Sequence, residues 1–403
     1  MLGVVGANSV AAVIERIEDT AGFEKLREEW NELLQASASN CLFLTWEWLY
    51  TWWKHLAEGR KLLIIAVRHG RELIAIAPLT LRLPKLNRLL PFRLLEFLGT
   101  GSVGSDYLDL IIRRGKEQEA LQALANYLAD GKLMLELAQL KRNSSFAAGL
   151  AMQLKQRGWA FCEEKTAICP FINLSGHSWQ SYLASQDSKK RCDFQRRLKN
   201  LTKQCDVRFE CVRSEEQRPE ALALLLALHH QRWRAKGGSD AFHTPALVAF
   251  HQELSQLALE RGWLRLFVLW LDGKPIASLY SFRYRQVYYE YQKGFDPGYG
   301  KQSVGLIIVG LGIKSAIEEG AEEYDLLHGD EPYKFRWSNE VRELGRLDLY
   351  PPRARGLLYK GAMGLSRAAR RMARHVLPKT LADRIVKGRG LPFGNGRYAA
   401  AAR

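Results

Sequence analysis

The stretch "VYYEYQKGFDPGYGKQSVGLIIVGLGIKSAIEEGAEEYDLL", Val287 to Leu327, decides the fold. It opens as an aromatic-rich strand, turns at Asp296-Pro297-Gly298-Tyr299-Gly300, and enters an apolar helix, Ser303 to Glu319, that Gly320 stops. A second strand, Glu323 to Leu327, follows at once. This order places the first turn of the helix at the end of the first strand, where several N–H groups lack intrahelical partners and partial positive charge collects. A helix start of this kind binds phosphate. Gly298, Gly300 and Gly305 would let an anion approach the backbone, Ser303 is placed to cap, and Lys301 adds charge. The plain alternative is a turn followed by glycines that ease packing, since short glycine patterns arise by chance.

Working outward, "VRFECVR" reads as a strand, and Glu216 to Lys236 as a helix with Leu222, Leu225, Leu226, His229 and Trp233 on one face. Pro245 to Arg261 is a second helix, started by Thr244-Pro245. "WLRLFVLWLDGKPIASLYSFRY" is a hairpin turning at Asp272-Gly273. The first half has the same order: helices Ala21 to Leu34 and Trp46 to Ala57, a hairpin at His69-Gly70-Arg71-Glu72, and a strand broken by the loop Gly99 to Ser105. It continues with helices Glu117 to Leu128 and Ser145 to Arg157 around the strand "LMLELAQL", then "WAFCEEKTAICPFINL" as extended structure. The pair "VRHGRELIA" and "WLDGKPIA" suggests an internal duplication. The fold class is therefore α/β, an α+β mixed sheet in two tandem lobes, 1–175 and 176–350, with a basic helical tail over 351–403. The uncharged run Thr166 to Gln186 reads as a surface linker, and "SKKRCDFQRRLKNLTKQCDVR" as a basic helix between the lobes.

The formal charge of +16 is concentrated at one end: from Pro351 onward 13 Lys/Arg face one acid, Asp383, leaving +12 there and +4 in the preceding 350 residues. That distribution argues against a DNA-binding body and for a basic appendage. In the tail, Leu365, Ala369, Met372 and Val376 share one helical face and Arg367, Arg370, Arg371 and Arg374 another, the pattern of a peripheral membrane contact. The six cysteines form no CxxC pair, and His229, His230, His243 and His251 have no HExxH spacing, so no metal is expected. No long apolar run or basic-apolar leader is evident, which predicts a cytoplasmic protein, at most peripheral on the inner face of the cytoplasmic membrane. Trp46, Trp48, Trp52 and Trp53 read as core or lobe-interface packing, with a sugar-stacking surface as the alternative.

The stretch from about Trp179 to Trp337 resembles the acetyltransferase-like domain of the GNAT superfamily found in bacterial proteins of cellulose and exopolysaccharide synthesis, itself similar to the two-lobed Fem-type transferases. The resemblance rests on the basic stretch Lys189 to Lys203, on Gln302-Ser303-Val304-Gly305-Leu306, and on Tyr324-Asp325-Leu326-Leu327-His328-Gly329 running to Tyr333-Lys334-Phe335-Arg336-Trp337. "GSVGSDYLDL" carries it more weakly in the first lobe.

The resemblance implies an acyltransferase with acetyl-CoA as co-substrate, its donor held at Gln302, Ser303, Val304, Gly305 and Leu306. The (Gln/Arg)-x-x-Gly-x-(Gly/Ala) loop of GNAT enzymes is missing from "YGKQSVGL". It further implies that Glu323 to Leu327 splays from its neighbouring strand, leaving a wedge for the donor. Acyl transfer from a thioester needs a base, oxyanion donors and an acid. His328, Asp330 and Glu331 are candidates for the base, and Tyr333 or Tyr291 for the acid. Lys334 or Arg336 would anchor an anionic substrate, and Asp106 and Tyr107 would bound the acceptor cleft. The alternative is a solvated Asp330-Glu331-Pro332 turn with surface ion pairs. The acceptor is expected to be a small molecule or glycan. Aminoacyl-tRNA as donor, with the basic helix gripping tRNA, is the second reading, and a non-catalytic accessory of a polysaccharide synthase the third.

Overall fold

The computed structural model describes residues 12–83, 93–131, 133–234, 239, 241–352, 356–358 and 360–361. The first half runs β1 (Val13–Ile17), α1 (Thr20–Lys25), α2 (Arg27–Gln35), α3 (Trp46–Leu56), β2 (Arg60–His69), β3 (Glu72–Arg82), β4 (Leu94–Phe97), β5 (Ile111–Ile112), α4 (Glu117–Gly131), β6 (Met134–Lys141), α5 (Phe146–Gln156) and β7 (Ala160–Asn173). The second runs α6 (Trp179–Ser185), α7 (Ser188–Gln204), β8 (Val207–Cys211), α8 (Arg218–Arg234), α9 (Pro245–Glu260), β9 (Leu264–Leu271), β10 (Lys274–Tyr284), β11 (Val287–Phe295), α10 (Val304–Glu318), β12 (Glu323–Asp325) and β13 (Glu340–Tyr350).

Local chemistry sets many boundaries. The side chains of Thr45, Ser145 and Thr244 accept from backbone N–H groups three residues on, starting α3, α5 and α9. Asp272 and Gly273 both take positive φ, 49° and 78°, as a two-residue hairpin turn requires.

All strands join one mixed sheet in the order β1-β2-β3-β4-β6-β13-β7-β12-β11-β10-β9-β8, with β5 against β3. The last described strand, β13, therefore lies inside the first half, antiparallel to β6 on one side and β7 on the other. On its other edge β7 pairs with β12. Thr166 to Gln186 is accordingly not a surface linker: its first part is the centre of the sheet and its second forms α6. The polar content that suggested a linker is explained by Asn173 ending the strand and by Ser178 and Ser181 forming a reciprocal cap for α6.

The larger apolar core spans both halves, and a second surrounds α10. Trp46, Trp48 and Trp52 are buried, and Trp48 packs edge-on against Phe250, Phe282 and Tyr291 of the second half at 5.5, 6.0 and 5.5 Å. Gly294 of β11 admits α8 so closely that an added Cβ would lie 2.3 Å from the backbone nitrogen of His229. No described helix is long and apolar enough to cross a membrane. The amphipathic pattern predicted from residue 365 onward lies outside the described residues.

Candidate active site

β11 and β12 are parallel and pair only at Val287–Glu323, Tyr288–Tyr324 and Tyr289–Asp325. Beyond Asp325 the chain leaves β11 and follows β7 instead: the Leu326 N–H donates to Pro170 O and the Gly329 N–H to Ile168 O, both at 2.9 Å. Leu327 takes a left-handed φ of 57° to make the bend, and the Asp325 carboxylate accepts its N–H at 2.7 Å. The strands part here, and a cavity of about 580 Å³ opens between them. Its walls come from β11 (Glu290, Lys293), α8 (Arg232), the Ser102–Gly104 loop and the 326–334 segment.

The start of α10 stands just past the end of β11. Ser303 is the residue before its first turn, but with φ 57° its side chain makes no capping bond, contrary to the sequence reading. Its hydroxyl instead accepts from Arg197 Nη1 of α7 at 2.6 Å. The first-turn N–H groups are thereby left without a side-chain acceptor and a guanidinium is tethered beside them, which strengthens the positive end of the helix. Gln302 is exposed, Ser303, Gly305 and Leu306 are partly exposed, and Val304 is buried in the core.

Two of the predicted residues from opposite halves meet at the cavity. The Asp106 carboxylate, fully buried, accepts from the backbone N–H of His328 at 2.9 Å and lies 2.8 Å from its Nδ1. This charge outweighs partial desolvation and raises the His328 pKa. Nδ1 is held by the carboxylate, while 43% of the side chain stays exposed and no hydrogen bond among the described residues engages Nε2. That is the arrangement of an oriented base. Tyr107 turns the other way and donates from its hydroxyl to Asp325 Oδ2 at 2.7 Å.

Other predicted residues are placed differently. Lys334 is buried and spends its ammonium on Leu327 O (3.0 Å), His328 O (2.6 Å) and Glu331 (3.0 Å), so it braces the bend instead of anchoring a substrate. Arg336 pairs with Asp193 of α7, away from the cavity. Asp330 is exposed and does not line the cavity, which leaves His328 the better-placed base. The Tyr291 hydroxyl is bonded to Val103 O, and burial raises its pKa, so it is no free acid. Tyr333 lines the cavity, its pKa raised by burial and by the neighbouring carboxylates of Glu290 and Glu331, so its hydroxyl keeps its proton beside Glu290.

The sequence reading missed Glu290, Lys293 and Arg232. The register of β11 against β10 jumps so that Tyr291 is an extra residue. This bulge resets the alternation, and Glu290 and Lys293, three apart, meet at 2.9 Å. Glu290 also accepts from the Tyr324 hydroxyl at 3.0 Å. Lys293 stands 3.2 Å from the centre of the Tyr333 ring, and desolvation lowers its pKa to about 8. Arg232 donates to Lys293 O at 3.2 Å while its Nε is buried without a partner. Two charges inside an aromatic strand, "YYEYQK", were the available signal.

With this geometry in hand, the comparisons with known proteins can be placed. Residues 188–335 match the family of the acetyltransferase (GNAT) domain. No curated protein matches the chain. Among solved structures, FemX is similar over 83% of this chain and 96% of its own, at 14% identity and a TM-score of 0.58. L-PGS from Bacillus licheniformis is similar over 84% and 96%, at 11% identity and a TM-score of 0.51. The C-terminal domain of a putative lysylphosphatidylglycerol synthetase from Agrobacterium fabrum is similar over 86% and 96%, at 10% identity and a TM-score of 0.51. At such identities the structures show a shared two-lobed fold. The domain match makes residues 188–335 of acyltransferase (GNAT) type within that fold.

Proposed function

We propose that the chain transfers an acyl group, acetyl from acetyl-CoA, onto an amine or hydroxyl of a carbohydrate or other cell-envelope precursor by direct attack on the thioester. The observation that carries the reading is the parting of β11 and β12 under a cavity with the His328–Asp106 pair at its edge. His328 Nε2 takes the proton of the attacking group as the new bond to the acyl carbon forms. The Arg232 guanidinium and Tyr333 hydroxyl are the donors for the oxyanion. As the C–S bond breaks, the thiolate takes a proton from Lys293, whose pKa of about 8 is near the ~8.5 of a free thiol. The diphosphate of the donor is assigned to the α10 start at Ser303 and Gly305, with Arg197 and Lys301 beside it. The likeness to lysylphosphatidylglycerol synthetases accords with an envelope acceptor, and the exopolysaccharide context rests on the sequence resemblance.

Calorimetry with acetyl-CoA on wild type and Ser303→Asp tests the donor assignment. An aspartate before the first turn favours the helix and faces Arg197, so the variant should keep its melting temperature. It should lose acetyl-CoA affinity tenfold or more by repelling the diphosphate; equal affinities would remove the assignment.

A second reading, aminoacyl transfer from charged tRNA, is favoured by α7, whose Lys189, Arg196, Lys199 and Lys203 are exposed on the helix that delivers Arg197 to the donor end. Salt-sensitive tRNA binding without acetyl-CoA binding would select it.

A further inference from the structure

A second cavity, about 370 Å³, lies on the far side of the loop that forms one wall of the first. Ser102 to Gly104 of that loop face the acyl-transfer cavity, whereas Tyr107 and Asp109 line the second one. Lys141 from the end of β6, Arg342 from β13, Asp325 from β12 and Asn40 complete it.

The acidic side chains there are already committed. Asp109 accepts the backbone N–H groups of Leu110, Phe146 and Ala147 at 2.8, 2.7 and 2.9 Å. Asp325 accepts from Leu327 and Tyr107, and Glu323 is held by both terminal nitrogens of Arg342. Apart from Arg342, two donors in the wall are not committed. Lys141 makes no ion pair or hydrogen bond among the described residues, and its pKa is pushed down by partial desolvation and by the neighbouring Arg342. Asn40 accepts from the Tyr284 hydroxyl through Oδ1 at 2.8 Å, but its amide nitrogen is buried without a partner.

The geometry points to an oxyanion site in this cavity, in which a carboxylate or phosphate group of a small ligand is held by Lys141 Nζ and Asn40 Nδ2. A bound anion supplies the acceptor that both donors lack. The opposite polarity, a cationic ligand, is disfavoured because every buried carboxylate in the wall already has its donors. Asp106 and Tyr107 are consecutive, so the ligand's wall and the partner of His328 belong to the same short loop. Occupancy is thereby placed to report on the acyl-transfer cavity.

The test is calorimetry of the full chain with inorganic phosphate and, separately, malonate. Wild type should bind at least one of the two; Lys141→Met should weaken that binding tenfold or more, and Ser303→Asp should leave it unchanged. Ser144→Glu, at an exposed position on the rim, should weaken it likewise and stands in should Lys141→Met not fold. Absence of binding to wild type, or unchanged affinity in Lys141→Met or its stand-in, overturns the site. Since no acyl donor is used, failure here is separate from failure of the transferase reading. Binding lost in Ser303→Asp but kept in Lys141→Met would move the anion to α10 and also overturn it.

Discussion

Replacing Asp106 with asparagine removes one charge and little volume, and its consequence can be worked from the His328 pair. At 2.8 Å and an effective dielectric constant of about 20, the attraction between imidazolium and carboxylate is roughly 6 kcal/mol. The His328 side chain is 43% exposed, so solvent screening and the cost of burying the carboxylate take back most of this, leaving about 1–2 kcal/mol. The His328 Cε1 proton, identified by its loss in His328→Gln, should titrate above the usual histidine midpoint in wild type and at lower pH in Asp106→Asn. Acyl transfer should follow the same shift, because a general base works deprotonated: the rising limb of the pH–rate profile moves to lower pH. The sign for stability is fixed by linkage. A histidine whose pKa is raised by folding stabilises fully below its unfolded value, near 6.5, and that contribution disappears as pH rises through the folded value. Asp106→Asn should therefore lose about 1 kcal/mol more at pH 5.5 than at pH 9. Coincident midpoints in the two proteins would refute the electrostatic role of Asp106 and leave it a backbone brace for residue 328.

Two more outcomes follow from packing and hydrogen bonds. Lys334→Met strands the carbonyls of Leu327 and His328, each with a desolvation cost of about 1–3 kcal/mol, so chemical denaturation should show a loss of about 2–4 kcal/mol and poorer acyl transfer; a loss under 0.5 kcal/mol would contradict the bracing role. Gly294→Ala forces α8 from β11, because the new methyl would meet the His229 backbone at 2.3 Å; it should cost about 1–3 kcal/mol or give insoluble protein, and a wild-type melting curve would refute the close approach of α8.

The elements of the second half were legible because each carries its own start and stop: Thr244-Pro245, Asp272-Gly273, Gly320. Strand β13 was not. "VRELGRLDLY" lies past the motif that drew attention, and nothing local says that its partners, β6 and β7, precede it by some two hundred residues. Within the site, His328 and Asp106 were each found from their own segments, but their meeting was not, because it depends on that non-local pairing. Lys334 and Arg336 were read as substrate anchors or, alternatively, as members of surface ion pairs; a lysine beside a bend in the chain is equally suited to satisfy carbonyls that the bend leaves unpaired, which only the fold reveals. Glu290 and Lys293 were obscured by a register shift, since three-residue spacing in a regular strand puts side chains on opposite faces.

The position of β13 has a consequence for the chemistry. Two parallel strands with free edges gain hydrogen bonds by zipping together, so a wedge between them needs something that holds one away from the other. Here β7 holds it: the bonds from Leu326 to Pro170 and from Gly329 to Ile168 keep the segment on β7 past the point where its pairing with β11 ends. β7 can do this because its other edge is fixed by β13 along its length, from Ala160 to Phe171. A strand of the second half thus anchors a strand of the first, which in turn draws residues 326–329 of the second half away from β11 and onto Asp106. The two lobes are coupled through backbone ladders as well as through the shared apolar core, so the separation between His328 and the start of α10 is set by one continuous sheet and not by how two independent bodies dock.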